Sequence, residues 1–263
     1  MTPKRQPLPG ILKGSLAWHL AGAAALAAVP SRWPWIVAAM VANHSVIALA
    51  GIIPRAQLFG PCQSRLDEYE STANSVALTF DDGPDPEVTP QVLKILKDHN
   101  VSATFFPIGR RASNHPELIK EIAEEGHTLE NHSWSHSTGF FFHSPRRLAE
   151  EIDQSQDLLE RLSGRRPVYF RAPAGIRGPL LQPMLIDRKI RLVAWRRRGF
   201  DTTDSNPERV LRRLTARLKS RDILLLHDGS SARDSEGHSV VLKALPRLLD
   251  ALKARGLKPT PLI

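Results

Sequence analysis

The first 60 residues contain no aspartate or glutamate; the first acid in the chain is Asp67. The same stretch carries only five basic side chains, Lys4, Arg5, Lys13, Arg32 and Arg55. The other 31 of the 36 lysines and arginines, and all 27 acids, follow it. The net charge of +9 is therefore uneven, and from residue 61 onward the chain is close to neutral. Cysteine is nearly absent. Cys62 stands alone, which excludes an intrachain disulfide and a thiolate metal cluster. Aromatic residues make up 6% of the chain, and no basic stretch interleaves with them in a nucleic-acid-binding motif. No internal repeat is present. With 263 residues, 41% of them hydrophobic, the chain can bury one large domain or two small ones.

Where charge is missing, apolar runs take its place. SLAWHLAGAAALAAV covers 15–29 and PWIVAAMVANHSVIALAGII covers 34–53. A membrane-spanning helix needs about 20 apolar residues. The second run meets that length, although Asn43, His44 and Ser45 interrupt it. The first is short enough to be half of a helical hairpin or the core of a signal peptide. Residues 1–55 are therefore expected to be an apolar, membrane-associated segment of one or two helices, placing the protein at a membrane, the inner membrane of a bacterium. For a hairpin, the positive side chains mildly favour both ends in the cytoplasm. If the first run is cleaved or does not span, the remainder lies outside. The face of the catalytic part stays open. Residues 56–74 read as a linker.

From residue 75 the pattern alternates. Strand-like runs at 75–80, 102–109, 127–132, 168–173, 191–197, 222–227 and 257–263 are separated by helix-like stretches. Short apolar strands alternating with helices predict a parallel α/β domain over 75–263, and seven strands predict a barrel. In such barrels the chemistry sits on loops at the C-terminal ends of the strands. Here those ends carry Asp81-Asp82, His132 and His136, Arg171, Asp201 and His227-Asp228. The i, i+4 spacing of His132 and His136 places both imidazoles on one face if the turn is helical. A carboxylate from another strand end would complete a three-ligand metal set open to water. The adjacent pair in TFDDGP, 79–84, fits that need. One acid binds the metal, and the other stays free beside it to take a proton.

These motifs, TFDDGP, then HSWSH, RAPAG and LLH, resemble in order and spacing those of the polysaccharide deacetylases, carbohydrate esterase family four, over 75–263. The resemblance implies a distorted (β/α)7 barrel, here preceded by the apolar helical hairpin, and a divalent metal, commonly zinc. It implies hydrolytic removal of an N-acetyl group, occasionally an O-acetyl group, from a carbohydrate or glycolipid. Carried over residue by residue, it makes Asp81 the catalytic base, Asp82, His132 and His136 the metal ligands, and Arg171 the tether of the base. His227 becomes the general acid and Leu225 the residue that shapes the acetyl pocket, with a backbone N–H near Ala174 for the oxyanion. Two positions depart from the pattern. Ala174 stands where an aromatic is common. Asp201, counted from Trp195, lacks its usual tryptophan neighbour and is expected to orient His227. Both changes remove sugar-stacking surface. Trp134 is expected as a pocket wall, and the other seven histidines as structural or surface groups. Arg196, Arg197 and Arg198 are either a solvated rim or a contact for phosphate. Two alternatives stand beside N-deacetylation: a deformylase or deacylase of a lipid-linked sugar phosphate, and a catalytically inactive sugar-binding domain. No nucleic-acid partner is expected, and the oligomeric state is open.

Overall fold

A computed structural model describes residues 10–262. Lys4 and Arg5, the first two basic residues of the N-terminal segment, lie outside the described residues, as does Ile263 at the end of the last strand-like run.

The chain opens with an antiparallel pair of helices, α1 (Gly10–Ala28) and α2 (Trp33–Ile52), joined by a short 3-10 turn. Both are long and apolar enough to cross a membrane, and α1 has no buried residue. The polar residues that interrupt the second run bond within the pair. Asn43 Nδ2 donates to Ser15 Oγ at 2.8 Å, Ser45 Oγ donates to the Val41 carbonyl, and the His44 ring bonds the Met40 carbonyl. Such internal satisfaction is what a lipid environment demands of polar groups.

The remainder is a parallel α/β barrel. Its strands are β1 (Ser75–Asp81), β2 (Thr104–Phe106), β3 (Thr128–Leu129), β4 (Tyr169–Phe170), β5 (Arg191–Leu192), β6 (Arg197–Arg198), β7 (Ile223–His227) and β8 (Lys258–Thr260). The expected fifth run, 191–197, is thus split in two. The main sheet runs β3-β2-β1-β7-β6, β8 pairs with the start of β1, and β4-β5 form a separate pair. Around them lie α3 (Thr89–Asp98), α4 (Gly109–Asn114), α5 (Pro116–Glu124), α6 (Pro145–Ser163), α7 (Leu181–Asp187), α8 (Pro207–Thr215) and α9 (Val240–Ala254). Of these, α4 is not foreseen in the sequence.

Strand periodicity positions the site. Along β1, Val76, Leu78 and Phe80 join the large core beneath the helices, whereas Ala77 belongs to the interior cluster with Phe106, Val193 and Ile223. Alternation then sends Thr79 and Asp81 inward as well. The same rule turns Leu224 and Leu226 of β7 outward and Leu225 and His227 inward. The longer helices are sharply bounded. Ser144 caps α6 by accepting from Arg147 N, Pro145 opens it, and Gly164 at φ 71° closes it.

Residues 56–74 do not behave as a linker. Gln63 bridges to Val193 in parallel, and Arg65 bridges to Asp222 in antiparallel sense. Gln63 N donates to the Leu192 carbonyl at 2.9 Å, and Leu66 N donates to the Arg221 carbonyl at 2.8 Å. At the other side of the β4-β5 pair, a bridge from Asn131 to Phe170 links it to β3. Residues 63–66 therefore close the barrel between β5 and β7. Polar composition hid the segment, because only Phe59, Cys62 and Leu66 in it are buried apolar residues. Leu66→Ala is expected to lower stability by about 2–4 kcal/mol in chemical denaturation, since the site is packed and cannot collapse. A linker residue would change it by a few tenths.

Candidate active site

Asp81 and Asp82 follow one another at the end of β1, yet both reach one centre. The backbone explains it. Asp82 sits at φ 70°, in the left-handed region, so the strand's alternation breaks at that residue. Arg111 of α4 holds the conformation by donating Nη1–H to the Asp82 carbonyl at 2.7 Å.

Arg171, fully buried after β4, fixes Asp81. Its Nη1 donates to Asp81 Oδ1 at 2.5 Å and to Thr79 Oγ1 at 2.9 Å, and its guanidinium lies 4.1 Å over the Phe106 ring. One Asp81 oxygen is thereby tied, and the other, Oδ2, lies 3.8 Å from His132 Nε2.

His132 and His136 are not on a helix, as their spacing allowed. They lie in a loop after β3 in which Ser133 (φ 64°) and His136 (φ 50°) are left-handed. Side chains hold it. Asn131 Oδ1 accepts from Ser133 N, and Ser133 Oγ accepts from His136 N. The buried Glu151 of α6 accepts from Trp134 N, from Ser135 N and from Ser135 Oγ at 2.6 Å. Sequence reading missed Glu151. The available signal was an acid on the apolar stripe of α6, between Leu148 and Ile152. Trp134, expected as a pocket wall, packs instead toward the core, against Gly109 at the start of α4.

Three donor atoms converge. Nε2 of His132 and Nε2 of His136 each lie 3.3 Å from Asp82 Oδ1. His132 donates its Nδ1–H to the Arg171 carbonyl at 2.8 Å, which leaves the Nε2 lone pair facing the cluster. Asp82 Oδ1 is buried with no hydrogen-bond partner. Buried oxygens are rarely left so, and a cation shared with two imidazoles satisfies this one. The set of one carboxylate and two imidazoles fits a divalent ion. A second grouping, Asp234, Glu236 and His238, is more exposed, and Lys243 already pairs with both of its acids.

Electrostatics agree with a cation there. Burial opposes charge on Asp82, but His132 and His136 outweigh it and hold the carboxyl well below the usual range. Burial also opposes charge on His132, yet Asp81 and then Asp82 outweigh it and raise the imidazole. Burial and the neighbouring His132 lower His136.

His227, at the end of β7, faces the same centre. Its Nδ1–H donates to Asp201 Oδ1 at 2.9 Å, and its backbone N–H donates to Asp201 Oδ2 at 2.8 Å. Burial alone would lower this imidazole. The Asp201 bond and charge outweigh burial and raise it, which favours a protonated Nε2. Asp201 itself is fully buried.

A cavity of ≈ 290 Å³ lies over these groups. Asp81, Asp82, His132, His136, Ala174, Leu225 and His227 line it, together with Gly175, Trp195, Arg198, Thr202 and Ser230. Of the residues singled out in the sequence, Trp134 is absent from the lining, and Arg171 and Asp201 act from behind it. Ala174 is left-handed at φ 53°. Unlike those of Gly175 and Ile176, its N–H makes no hydrogen bond among the described residues.

Metal binding is expected to compete with a proton for His132 Nε2, because the neighbouring acids raise that imidazole. Affinity should rise with pH through that raised pKa and fall below it. Calorimetric titration with zinc in buffers of different ionisation enthalpy checks the proton release. Asp82→Asn should abolish tight binding, whereas Asp81→Asn should weaken it far less.

Comparison with known proteins identifies the family of the chain. The sequence model of the family described as "Polysaccharide deacetylase" matches residues 68–185. A peptidoglycan-N-acetylglucosamine deacetylase of Bacillus cereus is 33% identical over 193 residues, covering 73% of this chain and 87% of that protein. A chitooligosaccharide deacetylase of Azorhizobium caulinodans is 32% identical over 196 residues, covering 72% and 93%. Among solved structures, a peptidoglycan N-acetylglucosamine deacetylase in complex with 4-naphthalen-1-yl-N-oxidanyl-benzamide superposes with a TM-score of 0.68 at 30% identity. It covers 76% of this chain and 90% of its own. The chain belongs to the polysaccharide deacetylase family, carbohydrate-processing hydrolases of carbon–nitrogen bonds other than peptide bonds, built on a (β/α)7 barrel.

Proposed function

We propose that this protein is a metal-dependent N-deacetylase of an amino-sugar glycan or glycolipid, held at a membrane by α1 and α2. The observation that carries the reading is the meeting, in one cavity, of three complementary devices. These are a carboxylate with one tethered and one free oxygen, a cluster of three metal-type donors, and an imidazole oriented by a buried carboxylate. A sugar-binding module has no use for a base, an acid and a ligand set together.

Asp82, His132 and His136 would hold the ion. One carboxylate and two imidazoles suit zinc, with positions left for water and substrate. Bound there, a divalent ion supplies Lewis acidity to a water and to the amide carbonyl. Asp81 takes the proton of the attacking water on its free oxygen, while Arg171 fixes its orientation. The N–H of Ala174, left without a partner, donates to the oxyanion. The acetyl methyl rests against Leu225. Protonated His227 then gives its Nε2 proton to the departing amine, which leaves poorly as an anion. Asp201 keeps that imidazole in the required tautomer and charge state.

Two observations support a retained membrane anchor. The apolar surfaces of α1 and α2 are almost wholly exposed, unlike the core helices of a soluble domain. The last turn of α2 is also built into the barrel. Ala50 and Gly51 are buried, and the Gly51 carbonyl accepts from Arg177 N at 3.1 Å. Removing the segment as a signal peptide would strip that support from the loop that follows β4.

Zinc-loaded protein is expected to release acetate from an N-acetylated amino sugar. Chelation or Asp82→Asn should abolish the release, and turnover that survived both would overturn the reading. Activity should also fall as pH rises past the raised pKa of His227. Asp201→Asn removes the partner that raises it, so the alkaline limb should move to lower pH, with kcat down about 10- to 1000-fold. A pH–rate profile of kcat/KM checks the shift.

A further inference from the structure

Deacetylation gives no role to one cation in the cavity wall. Of the three consecutive arginines, Arg196 is exposed, and Arg197 pairs with Asp222 at 3.2 Å. Arg198 lines the cavity. Its guanidinium stacks on the Trp195 ring at 5.4 Å and on the Phe200 ring at 5.0 Å. Its Nε is buried without a hydrogen-bond partner, and no carboxylate among the described residues lies within ion-pair reach. The other cation at Phe200, Arg213, is already paired with Asp204 at 2.7 Å. Arg198 is therefore pre-aligned by two aromatic faces with its donors free. It is also not needed to offset the acids of the site, since Asp81 has Arg171 and Asp82 has the metal cluster. A planar fork held in this way fits a phosphate.

A separate feature says how such a substrate arrives. The wall that carries Arg198 rests on the residues leaving α2. A Cβ on Gly175 would lie 2.5 Å from the Trp195 ring and 3.0 Å from Pro54, so these three residues are in tight contact. Beside them, the Phe141 ring packs on Gly51, and its neighbour Phe142 is 85% exposed. With α2 in a bilayer, Pro54 comes to the headgroup level, and it packs on Gly175, which with Trp195 lines the cavity. The small Ala174 and the modest cavity suit one sugar more than a stacked polymer.

We propose that Arg198 is a phosphate subsite, and that the substrate is an acylamino sugar bearing a phosphate next to the amide, delivered on a lipid at the membrane surface. On an amino sugar the amide at C2 and a phosphate at C1 sit on neighbouring carbons, so one cavity holds both. The proposal rests on the deacetylase reading for its chemistry, and its test separates the two.

Full-length, zinc-loaded protein in phosphatidylcholine nanodiscs is assayed for acetate release. The substrates are a polyprenyl-phosphate-linked N-acetylhexosamine and neutral chitotetraose. The wild type is expected to prefer the phosphate-linked sugar. Arg198→Gln should cut that preference about tenfold or more, mainly through KM, with Arg198→Lys intermediate and the exposed Arg196→Gln without effect. Equal losses on both substrates, or an unchanged preference, would overturn the subsite. An Arg198 effect that appears only when anionic lipid is added, and with the neutral sugar as well, would assign the arginine to a headgroup and also overturn it. Calorimetric binding of N-acetylglucosamine 1-phosphate needs no turnover. Binding lost in Arg198→Gln without acetate release from any sugar would keep the subsite and remove the deacetylase reading. Acetate release without phosphate preference would do the reverse.

Discussion

A guanidinium with no access to solvent sits at the C-terminal end of the barrel, and three parts of the site depend on it. Arg171 neutralises Asp81, anchors to Thr79 one pleat below, and through its backbone carbonyl sets the tautomer of His132. Its own N–H is held by Asn131, the residue whose side chain supports the histidine loop. Burying an arginine is costly unless the charge is met, and here a single carboxylate and the face of Phe106 meet it. Removing either partner of the pair leaves a bare buried charge. Asp81 and His132 are therefore coupled through one residue.

Much of this was legible because strand ends concentrate polar side chains in a way that a packed core otherwise forbids. The apolar runs located β1, β2 and β7 well, and the TFDDGP, HSWSH, RAPAG and LLH motifs gave every lining residue of the cavity but Trp195, Arg198, Thr202 and Ser230. The rest depended on backbone and tertiary facts that no local pattern encodes. The histidine pair lies on a left-handed loop, not a helical turn, because Glu151 and two other side chains replace helical hydrogen bonds. Residues 63–66 close the barrel with backbone bonds, which composition does not report. Trp134 turned to the core, since only the path of the loop decides which way its ring points.

The N-terminal helices show the same limit from another side. Run length alone left both a signal peptide and a hairpin open. The cross-helix bond of Asn43 to Ser15 and the burial of Gly51 against the domain bear on that choice, and both are tertiary. The consequence reaches the catalytic cavity. Pro54 supports Gly175, and Gly175 supports Trp195, so the end of the apolar helical pair and the cavity wall form one packed unit.

Charge balance explains why two adjacent carboxylates are tolerated. Asp81 carries its counter-ion permanently in Arg171, whereas the charge on Asp82 is met by imidazoles and by the ion they would share with it. A third acid, Asp228, lies just behind them. Burial, reinforced by Asp82 and Asp81 and opposed by a hydrogen bond from Thr89, pushes it up to about 7. Near neutrality Asp228 is therefore only partly ionised, which eases the repulsion of a third negative charge. Each of the two remaining charges then has its own partner, which separates their roles. The acid whose partner is fixed can act as a base, and the acid whose partner is exchangeable can act as a ligand. Arg198 falls outside this balance. Among the described residues no acid pairs with it, and an anion carried by the substrate, as proposed above, would meet its charge.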